Sequence, residues 1–242
     1  MRHGTLRDTP IDVALAVTQD ELDAASRLVH RCYVRRGYVA PSADGRHASP
    51  YLGMPSTAVF VAHANGVLVA TVSLIGDSPR QLPCDALWAA ELAAVRGGGR
   101  RLAEVSALAV SEAWRGPGLR ILRALVRAVG VYGRDIARLD TLCIAVHPRH
   151  AAFYEALLRF RRFGAPTPCA AVSGAPAVGL RLDLRELDAP LADPFAAGVF
   201  AADERRHVHA RLRRDLVRRR SSRRLKLLHS DSPGTSTAMV VT

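Results

Sequence analysis

Leu102–Val126, LAEVSALAVSEAWRGPGLRILRALV, is the stretch whose reading decides the fold. Its first nine residues alternate as a strand, placing Glu104, Ser106, Leu108 and Val110 on one face and Ala103, Val105, Ala107 and Ala109 on the other. The turn Arg115-Gly116-Pro117-Gly118 follows, and then Leu119, Leu122, Val126 and Val129 recur at the spacing of a helix with one buried stripe. Proline suits a first helical turn, glycines admit a close ligand, and the free amides of a helix start can hold a phosphate. Strand, glycine turn and helix are common in α/β proteins, so the neighbouring elements must supply the specificity.

Upstream, Ile11–Val17 reads as a strand, and Thr18 with Glu21 forms a capping box for a helix running to about Arg36. Residues 37–55 are rich in Gly, Pro, Ser and Asp, with Tyr38 and Tyr51 embedded; so long a loop points to a substrate cover. Thr57–His63 and Val67–Ile75 form a hairpin across Asn65-Gly66, and a helix over Asp85–Arg96 ends at three glycines. Downstream, Leu139–Val146 is a strand, Pro148 opens a helix, and Ala175–Leu184 is a last strand, with Cys169–Ser173 its candidate partner. The reading is α/β, a mixed central sheet flanked by helices, over residues 1–188. A basic helical extension over 189–220 and an unfolded tail over 221–242 complete it.

The chain has 242 residues and a net charge of +12, almost wholly through arginine, since Lys226 is the only lysine. An acidic partner is therefore expected: an acidic protein, an anionic lipid surface or nucleic acid. No apolar run approaches the roughly 20 residues of a membrane span, and the start lacks an apolar signal region. The expectation is a soluble cytoplasmic protein, with peripheral attachment at the inner membrane open to its basic segment. Cys32, Cys84, Cys143 and Cys169 are scattered, which reads as free thiols. His147 and His150 lack a third ligand nearby, and His207 and His209 cannot share a helix face, so no metal is expected.

The central stretch and the order of elements resemble the GCN5-related N-acetyltransferase (GNAT) superfamily, whose Q/RxxGxG/A turn takes the pyrophosphate of coenzyme A. Arg115 and Gly118 match the first and fourth positions, Arg120 replaces the small sixth residue, and Tyr154 falls where that family has its helix tyrosine. More narrowly, RCYVRRGYV, STAVFVAHANGVLVATVSLIGDSP, LPCDALWAAELAAVRGGGRRLAEVSALAV and IAVHPRHAAFYEALLRF resemble bacterial N-acyl amino acid synthases, over about Arg31–Leu184. These are relatives of the acyl-homoserine-lactone synthases, and the pattern also occurs in exosortase-associated acyltransferases.

The resemblance implies a GNAT-like acyltransferase that moves an acyl group from the phosphopantetheine thioester of acyl carrier protein, or from acyl-CoA, to the amine of an amino acid, with no permanently bound cofactor. Glu104, buried in an apolar strand, would be the base that deprotonates the amine; the alternative is a structural carboxylate paired with Arg101. Amides near Leu108, Ala109 and Val110 would receive the oxyanion, and Tyr154 the departing sulfur, unless it is only core packing. Arg115, Gly116, Gly118 and Arg120 would hold the phosphopantetheine phosphate, a truncated cradle suited to one phosphodiester. With Arg120, residues Arg123, Arg127 and Arg134 form a basic stripe, a carrier-protein dock or a solvated face. Arg31, Arg36 or Arg96 would grip the acceptor's carboxylate, and Asp77 and Ser78 its ammonium, if Asp77 does not simply cap a turn. A competing reading makes the basic tail a nucleic-acid or lipid binder on a degenerate acyltransferase domain, but no nucleic-acid motif accompanies it.

Overall fold

The computed structural model describes residues 9–116, 118–188 and 202–230, with side chains as far as residue 222. In chain order these form β1 (Asp12–Leu15), α1 (Gln19–Arg35), β2 (Thr57–Ala64), β3 (Val67–Gly76), α2 (Asp85–Gly97), β4 (Leu102–Val110), α3 (Gly118–Val131), β5 (Thr141–Val146), α4 (Pro148–Leu158), β6 (Arg161–Cys169), β7 (Ala175–Asp183) and α5 (Ala202–Ser230). One sheet of order β1-β2-β3-β4-β5-β7-β6 runs through the molecule, antiparallel everywhere except between β4 and β5. Helices α1 and α2 pack on one face; α3, α4 and α5 cover the other, where the largest core gathers around Phe60, Leu125 and Leu180.

Local signals account for most boundaries. Thr18 and Glu21 form both bonds of the capping box. Asn65 and Gly66 take the positive φ angles, 50° and 76°, that a tight hairpin turn requires. Pro148 opens α4, and Arg159, left-handed at φ 58°, closes it.

Three expectations change. Residues 161–169 form β6, and the segment after Cys169 is a 3-10 turn rather than a strand. The segment did not read as a strand because it holds Gly164, Pro166 and Pro168; it lies at the sheet edge, where a missing N–H is tolerated and its register shifts absorb the irregularity. Helix α5 continues through Ser221 to Ser230, past the expected end at Arg220; residues 189–201 and 231–242 lie outside the described ones. The buried stripe of α3 is Ile121, Leu125, Ala128 and Val129, whereas Leu119 is 59% exposed.

Helix α5 is tied down by polar contacts. Asp215 accepts the Leu15 amide of edge strand β1 at 3.1 Å, Arg219 donates to the Thr57 carbonyl at 2.7 Å, and Arg211 pairs with Asp12. The edge is thereby closed against pairing with another strand.

On the opposite edge, Trp88 breaks the helical backbone of α2 (φ −141°, ψ 50°) and donates from Nε1 to the Ala165 carbonyl. Its ring lies over Gly164, where an added Cβ would come within 2.5 Å of Nε1. Gly164→Ala is expected to destabilise the fold by about 1–3 kcal/mol, seen as a lower urea midpoint; an unchanged midpoint would contradict this packing.

Candidate active site

Strands β4 and β5 pair only through Leu102↔Thr141, Ala103↔Leu142 and Glu104↔Cys143, although both continue. Beyond that point β4 carries a bulge against β3: Thr71 faces Ala109 and Ser73 faces Ser106, with Ala107 left-handed at φ 52°. A left-handed alanine is an uncommon conformation held by its surroundings, of a kind concentrated at functional sites. The extra residue corrects the expected alternation. Leu108 and Val110 pack on the α3 side with Ala103 and Val105, while Ala107 and Ala109 turn towards α1.

Glu104 points to the α2 side and is 3% exposed. Burial raises its pKa to about 7, only partly opposed by its hydrogen bonds to Cys84. The Cys84 amide donates to Oε2 at 2.7 Å, and Arg101, the expected alternative partner, instead bonds Asp140 through its own amide. Cys84 and Cys143 touch at 3.4 Å between sulfurs, beside the carboxylate; the Cys143 contact, burial and the nearby Glu104 charge push the Cys84 thiol up. The ligand atoms of the two thiols and the carboxylate gather within 4.8 Å of one another. His147 caps α4 by accepting the Arg149 amide.

The gap between β4 and β5 opens on the other face into an apolar slot of about 50 Å³. Val105 and Leu108, Leu122 and Val126, and Ile144 line it, with Tyr154 and Phe160 at its wall. Tyr154 stacks edge-on against Phe153 and Phe160, and its hydroxyl makes no hydrogen bond among the described residues, so the tyrosine is both packed and chemically available. Ser111 donates to the Val69 carbonyl of β3. Alternation therefore turns the Val110 N–H away from β3, towards the side β5 has left.

At the turn, the Gly118 amide bonds back to the Arg115 carbonyl at 3.1 Å, which removes one of the expected phosphate donors. The first-turn amides of Leu119 and Arg120 remain, with open space beside Gly116 and Gly118. Arg115 lies 3.7 Å from Glu112, which also pairs with Arg35. The stripe expected to dock a carrier is mostly covered: Arg127 pairs with Glu204 of α5 at 2.6 Å, and Arg134 with Asp135, itself bound by Arg205. Arg123 is half-buried, leaving Arg120 exposed. The 3.6-residue period showed the stripe but not the helix that would lie on it.

The acceptor candidates also divide. Arg96 is clamped between Asp77 (2.6 and 3.0 Å) and Asp85 (2.7 and 2.6 Å), so its fork is spent inside the protein. Asp77 also accepts the Ser78 amide, and Ser78 Oγ the Arg80 amide, so these two shape a turn as well. Arg31 is exposed, and Arg36 donates to the Cys32 carbonyl at 3.4 Å and has no acidic partner among the described residues. The buried Tyr33 hydroxyl is pushed up to about 12 and feels both Arg36 and Glu104. Tyr51, from the long loop, joins the α2-side core and also feels Glu104. Sequence reasoning missed Tyr33, Cys84 and Cys143: a helix tyrosine and isolated cysteines carry no spacing signal, and only the fold brings them to the carboxylate.

The sequence model of the family "N-acyl amino acid synthase FeeM" matches residues 24–183. The chain belongs to that family. The structure of FeeM, an N-acyl amino acid synthase from uncultured soil microbes, is 31% identical, with 76% of this chain and 94% of that one covered at a TM-score of 0.66. The acyl-homoserine-lactone synthase LasI is 16% identical (78% and 96% covered, TM-score 0.59), and BjaI, a CoA-dependent acyl-homoserine-lactone synthase, 15% (83% and 100%, TM-score 0.54); at these identities the likeness shows the shared fold. A comparison with curated protein sequences gave no match. The chain is thus an acyltransferase of the FeeM family with the GNAT-like fold.

In this FeeM-family site the charge state of Glu104 is tied to folding. Its value is raised from 4.5 to about 7, so its contribution to stability is full below about pH 4.5 and is lost as pH rises through about 7. Glu104→Gln should therefore gain on the wild type by roughly 3 kcal/mol between about pH 4 and about pH 8 in urea titrations. A stability difference that stays flat with pH would contradict the burial of this carboxyl.

Proposed function

We propose that this chain transfers an acyl group from the phosphopantetheine thioester of an acyl carrier protein to the amine of an amino acid. One juxtaposition carries the reading: the gap between β4 and β5 has an apolar slot and an unbonded tyrosine hydroxyl on one side and a buried carboxylate on the other. The acyl chain enters the slot. Its present free space takes a few methylenes, and a longer chain requires Leu122, Leu125 and Val126 to shift.

Glu104, in its charged form, takes the proton of the acceptor ammonium, directly or through water. The free amine attacks the thioester carbonyl, and the oxyanion meets the Val110 N–H, with Leu108 and Ala109 shaping the strand around it. As the tetrahedral intermediate collapses, the carbon–sulfur bond breaks, the sulfur leaves with a proton supplied by Tyr154, and the proton that the attacking nitrogen loses returns to Tyr154 through water. The products are an amide and free phosphopantetheine thiol. Arg36 meets the acceptor carboxylate. The slot does not reach Glu104, so the acceptor's approach requires the loop of residues 36–56, which carries Tyr51, to swing outwards.

Arg115, Gly116 and exposed Arg120, with the first-turn amides of Leu119 and Arg120, form the phosphate turn that Gly118 shapes, and the arginine in the sixth position favours one phosphodiester over the larger anion of coenzyme A. A coenzyme A donor is the second reading, supported by the shared fold of the CoA-dependent BjaI. We further propose a cytoplasmic enzyme whose α5 offers exposed Arg213, Arg214, Arg218 and Arg220 to an anionic membrane surface; no helix among the described residues is long and apolar enough to cross a membrane.

The test offers purified enzyme an amino-acid mixture with either acyl-loaded carrier protein or the matching acyl-CoA, followed by mass spectrometry. N-acyl amino acids from the carrier arm are expected. Product from acyl-CoA alone would replace the proposed donor, and no amide in either arm would overturn the reading.

A further inference from the structure

At the other end of the sheet, where β4 and β5 still pair, a second cavity of about 290 Å³ lies between the end of α2 and strands β5, β7 and β6. Its charged lining is Arg100, Arg159, Arg161 and Arg181 against Asp183 and Glu186, four cations to two anions. We infer that this cavity is a binding site for a phosphate dianion, centred on Arg161 and Arg181 and separate from the phosphate turn at Arg115.

The polar contacts of the lining leave a surplus of positive charge. Arg100 donates to Thr141 Oγ1 at 2.8 Å and to the Asp140 carbonyl at 3.2 Å, and pairs with Asp183 at 2.6 Å. Asp183 is shared with Arg185, and these two arginines hold its carboxyl well below the usual range, so it is charged. Arg161 pairs with Glu186 at 2.9 Å, and Arg181 has no hydrogen-bond or ion-pair partner among the described residues.

Arg161 and Arg181 are direct cross-strand partners in the antiparallel β6–β7 register. Like charges directly opposite on one face repel and destabilise a sheet. A dianion between them reverses the sign of that interaction, and the planar guanidinium forks suit two oxygens of one phosphate. The concave wall concentrates their potential.

Position separates this site from the donor's phosphate. Thr141 pairs with Leu102 at the paired end of the two strands, whereas the gap, and the turn at Arg115, lie beyond the other end. The inference does not depend on which donor or acceptor the enzyme takes.

The probe is inorganic pyrophosphate, titrated calorimetrically into the full-length protein with ionic strength held by sodium chloride. Saturable binding is expected in the wild type and in Arg115→Ser, weakened roughly tenfold or more in Arg161→Ser/Arg181→Ser. Without ligand, Arg181→Ser alone should melt at the same temperature as the wild type or higher, because it removes the repulsion; this variant keeps the test valid if the double one folds poorly. Parallel titrations with AMP and with short-chain phosphatidic acid below its micellar concentration distinguish a nucleotide phosphate from a lipid headgroup. Binding unchanged in Arg181→Ser, lost in Arg115→Ser, or explained by ionic strength alone would overturn the proposal.

Discussion

The parting of β4 from β5 after the Glu104↔Cys143 pair is the constraint on which the site depends. Two parallel strands in contact would leave neither a slot for an acyl chain nor an unpaired strand amide at Val110. The left-handed Ala107 is the local device that goes with it: one extra residue in β4 turns Leu108 and Val110 to the slot side while Glu104 stays on the other. The strand thereby presents apolar wall and acid to opposite faces within a few residues.

That acid is held in a compromise. Burial alone would favour a neutral carboxyl, and the Cys84 amide favours the charged form, leaving Glu104 close to neutrality in its titration. Cys84 sits at the start of α2, in the segment anchored by Arg96, Asp77 and Asp85, so the clamp that occupies Arg96 also steadies the amide that donates to Glu104. The same closure that tunes the carboxyl also hides it.

Much of the fold was legible because its signals are local: the capping box at Thr18, the Asn65-Gly66 turn, Pro148, and the period of each strand and helix. β6 escaped because its prolines and glycine are tolerated only at an edge, and edge position is a property of the whole sheet. The candidate site was legible only residue by residue. Glu104 stood out as a lone acid in an apolar strand, and Tyr154 by its resemblance, whereas the bulge at Ala107 leaves no mark in an alternating run of small residues. Arg96 and Arg127 were misread for one reason: an arginine's free charge depends on which carboxylates the fold brings to it, and Asp85 and Glu204 are 11 and 77 residues away in the chain.

Membership of the FeeM family establishes acyl transfer, and the mechanism proposed for it rests on Glu104 as the group that frees the amine. The pH dependence of kcat/KM, measured for wild type and Glu104→Gln with the same donor and acceptor, tests this most directly. The account predicts a wild-type limb rising to a shoulder near pH 7, set by the carboxyl raised to about 7, and a variant at least about tenfold slower in which that limb is absent. A variant that keeps both the limb and the rate would show that another group takes the proton.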